Sequence, residues 1–153
     1  MRHYIIMMEA FMLKVTEEAW QRMKDLLGYD KEEMELFRKN SANEKVLARL
    51  PEMLNKTIAF EVIESKGCAS GHKVGDKFYF DASGNLLTKK NPKKICISAL
   101  VPLNAIIHAV RELIFAGIDP NEILFKTAGC SDVGVKCGGW GHVAMRCEVE
   151  DRK

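Results

Sequence analysis

Apolar positions follow one period before Thr57 and another after it. Residues 4–15 alternate poorly and suit either a strand or the start of a helix. From Thr16 the spacing is helical. Thr16 is placed to cap, Glu17 and Glu18 suit the positive helix start, and Trp20, Met23, Leu26 and Leu27 form the apolar stripe up to Gly28. Asp30 with Glu33 reads as a capping box for a second short helix with Met34 and Phe37 on its buried face. Ser41 with Glu44 repeats the signature ahead of Val46, Leu47, Leu50 and Leu54, with Pro51 marking a break or a new first turn. These Met- and Leu-rich helices hold no cysteine and no cluster of catalytic residue types, so they read as a packing or dimerisation element.

From Thr57 to Glu64 the period is two: Ile58, Phe60 and Val62 share one face of a strand. A Gly/Ser-rich loop follows, then a strand at 77–80, a turn at D-A-S-G-N and a return at 86–88. The longest helix lies within 95–116. Leu103, Ile106, Ile107, Val110, Leu113 and Ile114 make its stripe, Pro102 its first turn and Gly117 its end. Residues 123–126 read as a third strand and 142–149 as a last one, in which Val143, Met145, Cys147 and Val149 face one way. The expected fold is α+β: a helical N-terminal extension (1–55), then a domain (56–153) with a small, mostly antiparallel sheet or partly open barrel under one long helix.

Composition narrows the classes. An apolar share of 47% and a charged share of 29% suit a globular core, and a net charge of +2 leaves no basic track beyond Lys89, Lys90, Lys93 and Lys94, which argues against nucleic acid. The N-terminal apolar run is interrupted by Glu9 and Lys14 with no cleavage site after it, and no run reads as a membrane span. A cytoplasmic location is expected, where five cysteines would be thiols, metal ligands or redox groups rather than disulfides.

The densest candidate chemistry lies in A-G-C-S-D-V-G-V-K-C-G-G-W-G-H, residues 128–142. Cys130, Cys137 and His142 stand there as C-x6-C-x4-H, and Cys68 and His72 as C-x3-H in the earlier loop, while Cys96 precedes the long helix. Thiolates and imidazoles are ligands for zinc or iron, the latter as an ion or an iron–sulfur cluster, and a tetrahedral site takes four donors. Cys68, Cys96, Cys130 and Cys137 supply four, with His72 or His142 able to replace one. Tight C-x-x-C pairs, the strong signature of such sites, are absent. Cys130 with Asp132 and His142 also suits a nucleophile with a base, and Cys96 a thiolate at a helix start. Gly138 and Gly139 would allow close approach of a cofactor, and Trp140 would cap a pocket or anchor the loop. Cys147, in step with the strand alternation, reads as a core residue. His108, on the polar helix face, reads as solvated or paired with Glu112 four residues on.

From about residue 58 onward the order of features resembles a group of small bacterial and archaeal proteins, frequent in anaerobes, that have no settled activity. The matching residues are Cys68, Gly71 and Gly75 as Cys-x-x-Gly-x-x-x-Gly, then Cys96, Cys130 and Asp132. Here I-C-I-S-A-L stands where that group has a proline and aromatic residues, and Gly-Gly-Trp-Gly is an insertion. The resemblance implies one α+β module with its cysteines gathered at one end, and no reaction.

Three functions follow. One is a metal- or cluster-binding module serving as accessory or small subunit of a larger anaerobic enzyme. Another is a small enzyme using a thiolate or bound metal on a small ligand. The last is a structural or interaction protein with inert thiols. The apolar N-terminal helices suit a homodimer, or a cover for the sheet.

Overall fold

The computed structural model describes residues 15–152, so the strand-or-helix segment 4–15 lies, except for Val15, outside the described residues. The chain divides into two compact units, residues 1–51 and 52–153.

In the first unit, α1 (Glu17–Leu27) starts where Thr16 Oγ1 accepts the Ala19 N–H at 3.2 Å and stops at Gly28. Helix α2 (Lys31–Lys39) has the full capping box: Asp30 Oδ1 accepts from Glu33 N–H, and Glu33 Oε2 accepts from Asp30 N–H, both at 2.9 Å. Helix α3 (Ser41–Leu54) differs from expectation twice. Asn40, not Ser41, supplies the cap, taking the Ala42 N–H at 3.0 Å. Pro51 stays inside the helix, which runs on to Leu54. Trp20, Met34 and Leu47 form the buried cluster, flanked by Met23, Phe37 and Leu50. Leu26 and Leu27, expected on the buried stripe, are exposed, Leu26 by 76%.

The second unit is built on a four-stranded antiparallel sheet. Its strands are β1 (Lys56–Lys66), β2 (Lys77–Asp81), β3 (Thr127–Gly129) and β4 (His142–Asp151), in the order β2-β1-β4-β3. It is open, not a barrel. Ile58, Phe60 and Val62 of β1, Phe78 and Phe80 of β2, and the odd-numbered residues Val143 to Val149 of β4 are all buried. So is the stripe Leu103, Ile106, Ile107, Val110 and Ile114 of the long helix, labelled α5 (Leu103–Ala116). Each such side chain contributes about 1.5–3 kcal/mol on burial. A one-turn helix, α4 (Ile97–Leu100), precedes it, and Pro102 stands between the two. The stretch Ile97–Ala116 has the length and composition of a membrane span, which the sequence reading did not credit; its buried stripe and the break at Pro102 suit a core helix.

One irregularity shapes everything downstream. The β1–β4 register shifts between Val62↔Met145 and Glu64↔Ala144, so Ile63 is an extra residue. Strand faces alternate, so one inserted residue reverses which side chains point inward. Ser65 takes the inner side opposite Val143. Glu64 and Lys66 go to the outer face, with Lys66 opposite His142.

Two stretches of strand edge carry an asparagine: β2, and the end of β4 beyond β3. Beside β2, Asn91 Oδ1 accepts the Tyr79 N–H and its Nδ2 donates to Tyr79 O and Leu87 O, all at 2.9 Å. Beside β4, Asn121 Oδ1 takes the Val149 N–H at 2.9 Å and Nδ2 donates to Val149 O at 2.8 Å. These side chains explain two differences from expectation. The return at 86–88 makes only the bridge Phe80↔Leu86, because Asn91 occupies the next positions. The third strand falls at 127–129 instead of 123–126, where Leu124 and Phe125 are exposed by 88% and 85%.

Candidate functional site

Three segments far apart in sequence meet at one end of this unit: the β1–β2 loop with Cys68, the start of α4 with Cys96, and the glycine-rich loop with Cys130. Their junction is made by backbone. Cys130 N–H donates to Val143 O at 2.8 Å, and Ser131 N–H to Ser98 O at 2.9 Å. At Gly141 a Cβ would stand 2.3 Å from Gly67 O and 3.0 Å from Cys68 N. At Gly67, φ +64°, a Cβ would stand 2.9 Å from Trp140 O. Two glycines face to face are therefore what lets the Cys68 loop lie on the Cys130 loop.

The glycine-rich loop is organised by Asp132. Its Oδ1 accepts from Gly134 N–H (2.9 Å) and Trp140 N–H (3.0 Å), and its Oδ2 from Gly141 N–H (3.0 Å) and Trp140 N–H (3.3 Å). The Gly141 and Gly134 N–H groups, then Trp140 N–H and the nearby His142, hold this carboxyl below its usual value despite desolvation. Asp132 is thus a loop staple with its oxygens engaged, which fits poorly with a general base. Gly139 exists to make room for it, since a Cβ there would stand 2.1 Å from Asp132 Oδ1.

The convergence encloses a cavity of about 100 Å³ whose wall includes Cys68, Cys96, Cys130, His72, His142 and Asp132. Cys130 Sγ accepts the Val143 N–H at 3.3 Å and donates toward Asp132 O at 3.8 Å, so its hydrogen bonds run to backbone. The Ser70 hydroxyl, then the N–H groups of Ala99 and Ser98 and the Ser98 hydroxyl, lower the Cys96 thiol below its ordinary value, against desolvation. His72 is 4% exposed, its ring edge-on to Phe78 with centroids 5.0 Å apart, and its Nε2 has no hydrogen-bond partner. Among the described residues, no three His, Cys, Asp or Glu side chains converge on one point as metal ligands would.

The remaining candidates lie elsewhere. Cys137, on a 3₁₀ turn (Val135–Cys137), is exposed and does not line the cavity. Cys147 is buried in β4, and burial pushes its thiol up to about 12. Gly138 faces open space. Trp140 anchors the loop by its backbone only; its side chain is 83% exposed. It lines a second cavity of about 250 Å³ with Val133, Val135, Lys66, Lys136 and His142.

No family model, curated protein or solved structure matches this chain.

Function must therefore be argued from the cavity. Sequence reasoning missed Ser70 and Ser98 as partners of Cys96. The signal for Ser98 was present: a serine two residues into a helix whose cap is cysteine has its hydroxyl and N–H beside the thiol. It also missed Asp132 as a staple, although Asp two residues before a glycine is an ordinary turn former.

Proposed function

We propose that this unit is a small metal-binding module, with Cys68, Cys96 and Cys130 as thiolate donors and His72 or His142 as the imidazole donor for zinc or iron. The observation that carries it is the assembly of three thiols and two imidazoles around one small cavity from three separate segments, one imidazole buried with an unpartnered nitrogen. A buried polar nitrogen without a partner costs about 1–3 kcal/mol, which a bond to a ligand would offset. Three thiolates and one imidazole are a donor set suited to a borderline-soft ion. The segments that carry these donors are already tied together by backbone contacts. Such a centre would supply Lewis-acid or structural chemistry, and the chain's own part would be to hold the donors around the cavity. The same segments leave Val74, Ile97 and Val101 exposed, apolar surface in keeping with a small subunit that works against a larger enzyme.

Elemental analysis of protein purified without oxygen tests this. About one zinc or iron per chain is expected. Cys68→Ser, Cys96→Ser, Cys130→Ser and His72→Gln should each lower metal affinity by at least tenfold, with Cys137→Ser and Cys147→Ser unchanged in loading. Equal loading in all six would refute the ligand set. One observation favours a second reading: the lowered Cys96 thiol suits thiolate chemistry on a small ligand. A metal-free protein whose Cys96 alkylates well ahead of its other thiols would favour that reading.

A further inference from the structure

We propose that the second cavity, on the outer side of the glycine-rich loop, binds a small aromatic anion of the aryl carboxylate class, its ring on Trp140 and its charge between Lys66 and Lys136. Four observations carry this, and none depends on a metal. The indole of Trp140 is 83% exposed although its backbone is fixed by two hydrogen bonds to Asp132. An aromatic ring left uncovered on a held backbone offers its face for stacking. Val133 and Val135, 61% and 71% exposed, flank it on the same cavity wall. Lys66, Lys136 and His142 face a single carboxylate there, Glu64, and among the described residues neither lysine is held in an ion pair. The cavity therefore carries surplus positive charge beside an apolar wall. Its volume of about 250 Å³ exceeds the roughly 150 Å³ that accepts benzene, leaving room for a ring and a carboxylate.

The fold places these groups deliberately. If β1 ran through Ile63 with regular alternation, Glu64 and Lys66 would turn toward the core; because Ile63 is bulged out of the register, both reach the outer face opposite Ala144 and His142. His142 lines both cavities, so an anion bound outside would lie against the imidazole that also borders the cysteines.

The test uses full-length protein and two-dimensional ¹⁵N–¹H NMR, reading the Trp140 indole and the Gly134 and Lys136 amides. Benzoate is the probe, compared with benzyl alcohol (ring without charge), acetate (charge without ring) and benzamidine (ring with positive charge). Benzoate should give saturable shifts with a dissociation constant on the order of 1 mM, as expected of a ligand this small. Benzyl alcohol should bind at least fivefold more weakly, and acetate and benzamidine should give no saturable shift. Trp140→Leu should abolish benzoate binding at the two amides, and Lys66→Gln with Lys136→Gln should reduce it to the level of benzyl alcohol. Protein treated with a chelator should bind benzoate as untreated protein does, which separates this site from any metal. Absence of saturable benzoate shifts, equal affinity for benzamidine, or binding that survives Trp140→Leu would overturn the assignment.

Discussion

Replacing Gly141 by alanine should separate the two cysteine loops, and the size of the effect follows from the coordinates. The new methyl would stand 2.3 Å from Gly67 O, 2.6 Å from Gly67 C and 3.0 Å from Cys68 N. All three are backbone atoms, so no side chain can rotate away, and restoring ordinary contact needs a shift of about 1 Å between loops. Overpacking of this kind costs typically 1–3 kcal/mol, and the rigid partners place Gly141→Ala near the top of that range. Gly129→Ala is the control. Neither glycine has a positive φ, so neither substitution adds backbone strain, and a Cβ at Gly129 meets His142 Cε1 at 3.4 Å and Val143 O at 4.0 Å, both ordinary contacts. It should change stability by less than about 0.5 kcal/mol. For a unit of this size 1 kcal/mol moves the melting temperature by about 4–8 °C, so Gly141→Ala should melt on the order of 10–20 °C lower. Trp140 fluorescence in a Trp20→Phe background follows this unit alone. If Gly141→Ala and Gly129→Ala melt within a few degrees of each other, the backbone contact does not hold the loops together.

Other outcomes follow from single residues. Asp132→Asn puts an amide donor where an acceptor is needed, so exchange of the Gly134, Trp140 and Gly141 amides should accelerate at pH 7 in a hydrogen-exchange measurement. Because the folded Asp132 carboxyl lies below its ordinary value, its contribution is full above about pH 4 and is lost as pH falls through the depressed folded value; loop protection that is unchanged well below pH 3 would contradict the staple. Ser70→Ala should raise the Cys96 thiol toward its ordinary value and shift the midpoint of its iodoacetamide rate profile to higher pH, with no shift counting against the hydrogen bond. Cys147, pushed up to about 12, should resist thiol reagents until the protein unfolds; its linkage runs opposite to that of Asp132, with stability lost as pH rises above about 9, where the unfolded thiol ionises. Rapid labelling of native protein at Cys147 would refute its burial.

What was legible in the sequence was whatever local chemistry decides. Thr16 and Asp30 cap helices because a side-chain oxygen beside free N–H groups has one good use, and Ile58, Phe60 and Val62 announce a strand by their period. What depended on distant partners was not. Leu124 and Phe125 look like strand residues, but Asn121 fills the neighbouring edge position and leaves them in solvent. The bulge at Ile63 carries no glycine to announce it. Four candidate ligands could be picked by residue type, yet only the fold shows that Cys68, Cys96 and Cys130 border one cavity while Cys137 points elsewhere, because cysteine spacing within a long loop does not fix which thiols turn inward.

The asparagines beside β2 and β4 bear on how copies of this chain could assemble. A sheet edge normally offers a ladder of donors and acceptors to any passing strand. Here Asn91 and Asn121 act as one-residue false strands, each occupying both the N–H and the C=O of the residue it faces. A second copy adding itself at either of these positions would first have to evict an amide already bonded on both sides, gaining little in exchange. Sheet extension at these two positions, a route to filaments, is thereby discouraged with two side chains instead of two further strands.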